Sequence, residues 1–102
     1  MNFFSSVFGG GAATQVKEAI ANGAMIVDVR TPAEFAGGHA KGAVNIPLDR
    51  IPYELDSFKN KPGIIVYCRS GNRSGQAKAF LDQQGISNVL NGGTVDDVSA
   101  LV

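Results

Sequence analysis

The stretch that most constrains this chain runs from Gly63 to Gln84. Its first part, Gly63-Ile64-Ile65-Val66-Tyr67, is apolar and rich in β-branched residues, the pattern of a buried strand. Its last part, Ser74 to Gln84, reads as a helix stopped by Gly85. Between them lies Cys68-Arg69-Ser70-Gly71-Asn72-Arg73-Ser74, which holds the only cysteine of the chain. A strand that hands over to a helix through a short loop leaves that cysteine at the end of a sheet and at the start of a helix.

The chemistry expected there follows from the neighbours. The thiolate, not the thiol, is the nucleophile, and a free cysteine near neutral pH is mostly thiol. Three features favour the charged form of Cys68. The unpaired N–H groups at the helix start carry partial positive charge. Gly71 allows the loop to curl so that successive N–H groups point inward as an anion-binding nest. Arg69 and Arg73 add cationic charge. A buried, inert core cysteine would need none of these.

The spacing narrows the ligand. Four residues separate Cys68 from Arg73. Cysteine-dependent phosphatases follow the same logic with a loop one residue longer, which wraps a phosphoryl group. The shorter loop makes a smaller cradle, suited to one extra sulfur atom on the cysteine.

The rest of the chain supplies a frame. The spacing predicts a helix over 14–22, capped by Thr14 and ended by Gly23, and a strand over 24–29. Thr31-Pro32-Ala33-Glu34 predicts a capping box and a short helix to about residue 36, ended by Gly37-Gly38. A short strand is expected over 43–46, closed by Pro47. Leu48, Ile51, Leu55 and Phe58 have helical spacing, and Pro52 confines that helix to a start near the proline. A strand over 87–91, a Gly92-Gly93 turn and a helix from Thr94 complete the order. Alternating strands and helices predict an α/β fold with a mainly parallel central sheet flanked by helices. Ligands of such folds gather at the carboxyl ends of the strands.

Size and composition exclude other classes. The 102 residues make one domain, and 44% hydrophobic against 18% charged residues is ordinary for a globular chain. Zero formal net charge gives nothing global to attract nucleic acid. No run is long enough to span a bilayer. The single His39 cannot build a metal site alone, and one cysteine forms no intrachain disulfide. A lone reactive thiol is easiest to keep in a reducing compartment, so a cytoplasmic location is expected. Residues 1–12, with Phe3, Phe4 and Phe8 before Gly9-Gly10-Gly11, make a poor signal peptide and read as a flexible or loosely docked tail. Residues 13–102 form the domain.

The loop from Cys68 to Ser74 resembles the active-site loop of the rhodanese family, specifically its single-domain sulfurtransferases. A second stretch resembles the family's upstream motif: Asp28-Val29-Arg30, then Glu34-Phe35, then Gly38 to Pro47. The resemblance implies a rhodanese-like domain and a thiosulfate:cyanide sulfurtransferase. In that mechanism Cys68 takes the outer sulfur of thiosulfate as a persulfide, releases sulfite, and passes the sulfur to cyanide or a thiol. A partner protein is a further candidate acceptor. The persulfide is the only carrier, so no cofactor is implied. Arg69, Ser70, Gly71, Asn72, Arg73 and Ser74 are the implied substrate-binding residues, and the roles of the two arginines stay open between attracting the anionic donor and bracing the loop. The family commonly has tryptophan after the Gly-Gly pair, where this chain has Thr94.

Other residues have plainer readings. Asp28 and Arg30 suit a buried ion pair or backbone brace near strand ends, and His39 suits a loop brace bonded to backbone. Glu34 is explained by the capping box. Two further functions compete with sulfur transfer: a small phosphatase or arsenate reductase using the same thiolate, and a non-catalytic interaction module or persulfide carrier.

Overall fold

The computed structural model describes residues 11–102. The expectation of a tail over 1–12 lies almost wholly outside them. The elements are helix α1 (Gly11–Ala21), strand β1 (Met25–Asp28), helix α2 (Pro32–Ala36) and strand β2 (Val44–Asn45). Two 3-10 turns follow (Leu48–Tyr53 and Leu55–Phe58), then strand β3 (Ile64–Cys68), helix α3 (Asn72–Gln83), strand β4 (Val89–Thr94) and helix α4 (Val95–Ser99). The strands form one sheet in the order β2-β1-β3-β4, with every pair parallel. The α/β expectation therefore holds.

The period-two alternation of β3 divides the core. Ile64, Val66 and Cys68 point to one face, where they pack with Val27, Val29, Ile51, Phe58, Ala77 and Leu81. Ile65 and Tyr67 point to the other, against Val16, Ile26 and Val98. Every residue of β3 is fully buried, as a central parallel strand covered on both faces requires. The same alternation aims the Cys68 side chain toward the α3 side of the sheet.

Four elements depart from the sequence reading, each for a physical reason. Helix α1 begins at Gly11, so Thr14 lies inside it rather than at its cap. The stretch around Pro52 is not an α-helix from the proline onward but two 3-10 turns starting at Leu48. Turning begins before the proline, which places Pro52 in the interior, where it has no N–H for an α-type bond to Leu48. The short bonds Arg50 N–H to Pro47 O (2.8 Å) and Glu54 N–H to Ile51 O (3.0 Å) replace that ladder. Helix α3 starts at Asn72 rather than Ser74, because Gly71 takes the left-handed conformation (φ 91°) and serves as its N-cap.

The fourth departure concerns Gly92-Gly93, which is not a turn. Strand β4 runs through it to Thr94. The register jumps from Val66–Asn91 to Tyr67–Gly93, leaving Gly92 as the extra residue of a bulge. A Cβ at Gly92 would lie 2.6 Å from Val98 Cγ2 and 3.0 Å from Ile65 Cγ2, so the glycine answers a close approach of α4 and β3. Thr94 then caps α4 in a reciprocal box with Asp97. That capping accounts for a threonine after the glycine pair.

Candidate active site

Cys68 is the last residue of β3 and is fully buried. The loop behind it curls back over the sulfur. The Gly71 N–H donates to Sγ at 3.0 Å and the Ser74 N–H at 3.4 Å, with Ser74 Oγ also 3.4 Å away. The left-handed Gly71 is what turns its N–H inward, a conformation that costs other residues about 1–2 kcal/mol. Burial pushes the Cys68 thiol up. The Ser74 hydroxyl and the N–H groups of Ser74, Ser70 and Gly71 outweigh it, and the net shift is downward from the ordinary thiol value. The expected direction is met mainly by hydroxyl and backbone, with a smaller coulombic attraction from the Arg73 guanidinium.

The two arginines separate clearly. Arg73, in the first turn of α3, forms a fork with Glu34: Nη1 to Oε1 at 2.8 Å and Nη2 to Oε2 at 3.1 Å. Glu34 keeps its capping box with Thr31 as well. The Arg73 and Thr31 bonds hold the Glu34 carboxyl down at about 2. Arg73 thus ties α3 to α2 across the carboxyl edge of the sheet. Arg69 is exposed and has no hydrogen bond or ion pair among the described residues. Ser70 and Asn72 are exposed beside it; Ser70 Oγ receives the Asn72 N–H at 3.4 Å and Asn72 Oδ1 receives the Gln76 amide at 2.8 Å. An open cleft of about 470 Å³, lined by Val29, Thr31, Pro47, Leu48, Asp49 and Arg73, lies on the same edge.

Behind the loop, at the end of β1, Asp28 and Arg30 form a buried ion pair. Arg30 Nη2 meets Asp28 Oδ2 at 2.7 Å, and Arg30 Nε meets Oδ1 at 2.9 Å. The Arg30 N–H and the Tyr67 hydroxyl also donate to this carboxylate, at 2.9 and 2.8 Å. Burial pushes the Tyr67 phenol up to about 12, so it keeps the proton that it donates. Arg30 Nη2 holds the Gly38 carbonyl at 2.6 Å, and the Ala40 N–H reaches Tyr67 Oη at 3.0 Å. The Gly38–Ala40 segment is therefore stapled to the sheet. Exposed His39 stacks on Phe35, with centroids 3.7 Å apart, and its Nδ1 lies 3.0 Å from the Phe35 carbonyl, placing the proton on Nδ1.

Several residues here had no functional reading in the sequence. Glu34 does more than cap α2, since it fixes Arg73. Tyr67 looks like one more apolar strand residue, yet its hydroxyl joins Asp28 to the Ala40 backbone. Asn91 looks like the end of a strand, yet its side chain accepts from Ser74 Oγ and from the Gly93 N–H and donates to the Gly71 carbonyl. The one available signal for Asn91 was a polar residue next to a glycine pair at a strand end. No group of His, Cys, Asp and Glu with metal-ligand geometry occurs among the described residues, and no helix among them is long and apolar enough to cross a membrane.

Fold and site together define a class: a parallel α/β domain whose strand-to-helix loop cradles a cysteine with backbone N–H groups at the carboxyl edge of the sheet. Within that class the chain belongs to the rhodanese family, since the model of the rhodanese-like domain matches residues 12–98. A sulfurtransferase of Allochromatium vinosum is 45% identical over 67 residues, which cover 66% of this chain and 63% of that protein. The thiosulfate sulfurtransferase PspE of Escherichia coli is 37% identical over 76 residues, 72% of each chain. A solved rhodanese with anions from E. coli superposes with a TM-score of 0.68 at 34% identity, covering 74% of this chain and 91% of that one.

Proposed function

We propose that this chain is a thiosulfate sulfurtransferase that carries sulfur as a persulfide on Cys68. The observation that carries the reading is the Cys68 sulfur held under the Gly71 and Ser74 N–H groups, at 3.0 and 3.4 Å. Those dipoles favour negative charge at the position where the reaction needs it, before and after transfer. The thiolate attacks the outer sulfur of thiosulfate. A sulfur–sulfur bond forms to Cys68, the one within thiosulfate breaks, and sulfite leaves with the electron pair. In the second step cyanide or a thiolate attacks the outer sulfur of the persulfide, and Cys68 recovers its electron pair as thiolate. Charge balances in both steps, and ping-pong kinetics are expected.

The arginine roles follow from their partners. Arg69, exposed and uncommitted among the described residues, attracts the anionic donor. Arg73, committed to Glu34, braces the start of α3. Asp28, Arg30 and His39 act as structural support. Ser70 and Asn72 border the loop where donor and acceptor arrive. Sulfur itself is the electrophile and the carrier, so the two steps call for no cofactor. A free thiol that must cycle through its thiolate suits a reducing compartment such as the cytoplasm. The acceptor is cyanide, a small thiol or a cysteine of a partner protein.

The test is sulfite release from thiosulfate with cyanide or dithiothreitol as acceptor. Turnover is expected in the unsubstituted protein and none in Cys68→Ser. Hydrolysis of an aryl phosphate at a comparable rate, with no sulfite release, would overturn the reading in favour of a phosphatase.

A further inference from the structure

The Ser74 hydroxyl has two hydrogen-bond partners but only one proton. Its oxygen lies 2.7 Å from Asn91 Oδ1 and 3.4 Å from Cys68 Sγ. The orientation of the Asn91 amide is fixed independently. Its Oδ1 receives the Gly93 N–H at 2.9 Å, and its Nδ2 faces the Gly71 carbonyl at 3.1 Å. A flipped amide would set donor against donor and carbonyl against carbonyl. Oδ1 has no proton to give, so the short contact to Ser74 exists only while Ser74 donates to Asn91.

In that state Ser74 Oγ offers the sulfur a lone pair, which suits a thiol S–H. A thiolate has no proton and is the stronger acceptor, since hydrogen bonds to charged groups exceed neutral ones. The hydroxyl then turns to the sulfur. Asn91 Oδ1 is not orphaned by this turn because the Gly93 N–H stays on it. No proton changes owner; only the direction of one O–H bond changes. When Cys68 becomes a persulfide, the charge moves to the outer sulfur, Sγ is neutral again, and the hydroxyl returns to Asn91.

We infer that Asn91 is a positioning residue that acts on Cys68 through Ser74, giving its hydroxyl a resting partner whenever Sγ is uncharged. Asn91 therefore stabilises the thiol and the persulfide relative to the bare thiolate. The inference rests on the reading of Cys68 as the sulfur carrier. Its consequence is a bias toward the loaded enzyme: removing the resting partner favours the thiolate and weakens retention of the persulfide.

The charged and titratable groups on the elements packed around this network are Arg73 on α3, which acts on the thiol by charge, its partner Glu34 on α2, Arg69 in the loop, Asp28, Arg30 and Tyr67 at the ends of β1 and β3, and Asp96 and Asp97 on α4, which line one pocket with Asn91. No hydrogen bond joins Asn91 or Ser74 to any of them among the described residues, so substitutions at the two positions leave those charges in place.

The experiment follows ionisation of Cys68 by the ultraviolet absorbance of its thiolate against pH, on the full chain, with Cys68→Ser as the blank. Four proteins are compared: the unsubstituted chain, Ser74→Ala, Asn91→Ala and the double variant. Ser74→Ala is expected to raise the midpoint, because the thiolate loses a donor. Asn91→Ala is expected to lower it, by about three- to tenfold in the thiolate-to-thiol ratio, the size of one ordinary hydrogen bond. With Ser74 absent, the Asn91 substitution should produce no lowering. Asn91→Leu, of nearly the same shape, repeats the cycle if the alanine variant does not fold. An upward shift with Ser74 present, or the same shift in both backgrounds, would overturn the inference and assign Asn91 to the Gly71 carbonyl alone. A Cys68 that ionises no more readily than free cysteine in the unsubstituted chain would instead overturn the sulfur-carrier reading on which the inference rests.

Discussion

The ends of β1 and β3 lie side by side in the sheet, and both gather hydrogen-bond donors around one acceptor, yet they serve opposite purposes. At β1 the Asp28 carboxylate takes the Arg30 guanidinium, the Arg30 N–H and the Tyr67 hydroxyl, and it is fully buried. Its charge is matched by a full opposite charge, and its acceptor sites are filled by fixed groups. At β3 the Cys68 sulfur is hydrogen-bonded by backbone N–H groups and a hydroxyl, and no cation bonds to it among the described residues. A matched charge is locked and makes a brace. On the proposed reading, a charge favoured mainly by dipoles, with Arg73 acting only at a distance, stays available to form and break a bond. The difference between the two neighbouring strand ends is the difference between scaffold and chemistry.

The largest effect that would probe this contrast is at the brace. Asp28→Ala leaves Arg30 buried without its counter-ion and frees the Tyr67 hydroxyl and the Gly38–Ala40 segment. We expect a loss of about 3–5 kcal/mol in urea unfolding. A loss below about 1 kcal/mol would mean that the Asp28–Arg30 pair does not lock the end of β1. Next in size is Gly92→Ala, which drives a methyl into Val98 and Ile65 behind the site. Overpacking of this kind costs about 1–3 kcal/mol, and a thermal melt would register it.

At the reactive end, Ser74→Ala should leave the fold intact and move the alkaline rise of sulfur uptake to higher pH, because the thiolate loses one of its donors. An unchanged pH profile would show that the hydroxyl does not stabilise the thiolate. The smallest effect belongs to the Glu34–Arg73 pair, which is partly exposed and so worth little at neutral pH. Its signature is acid dependence. The Glu34 carboxyl is held at about 2, below its ordinary value of 4.5, so its contribution is present above the ordinary value and fades as pH falls toward 2. Glu34→Gln should flatten that part of the stability profile, and an unchanged slope between pH 4.5 and 2 would show that the pair does not hold the loop.

The contrast also explains what could be read from the sequence. Strand β3, its handover to a helix and the cysteine between them were legible because local signals agree: β-branched residues, a glycine and a helix pattern follow one another without a gap. The capping box at Thr31 was legible for the same reason, since its partners lie three residues apart. The second role of Glu34 was not, because Arg73 is 39 residues away and only the sheet brings them together. Tyr67 and Asn91 were opaque for a related reason, as each belongs to a regular strand and acts through a side-chain tip whose partner comes from another element. Gly92-Gly93 misled because absence of a Cβ serves a bulge under a closely packed helix as well as it serves a turn.

Mass spectrometry of the intact protein after incubation with thiosulfate decides whether Cys68 carries one sulfur atom. We expect a gain of one sulfur, located on Cys68, lost on addition of cyanide and absent from Cys68→Ser. A protein that gains no sulfur, or a Cys68→Ser variant that gains it equally well, would show that Cys68 is not the sulfur carrier.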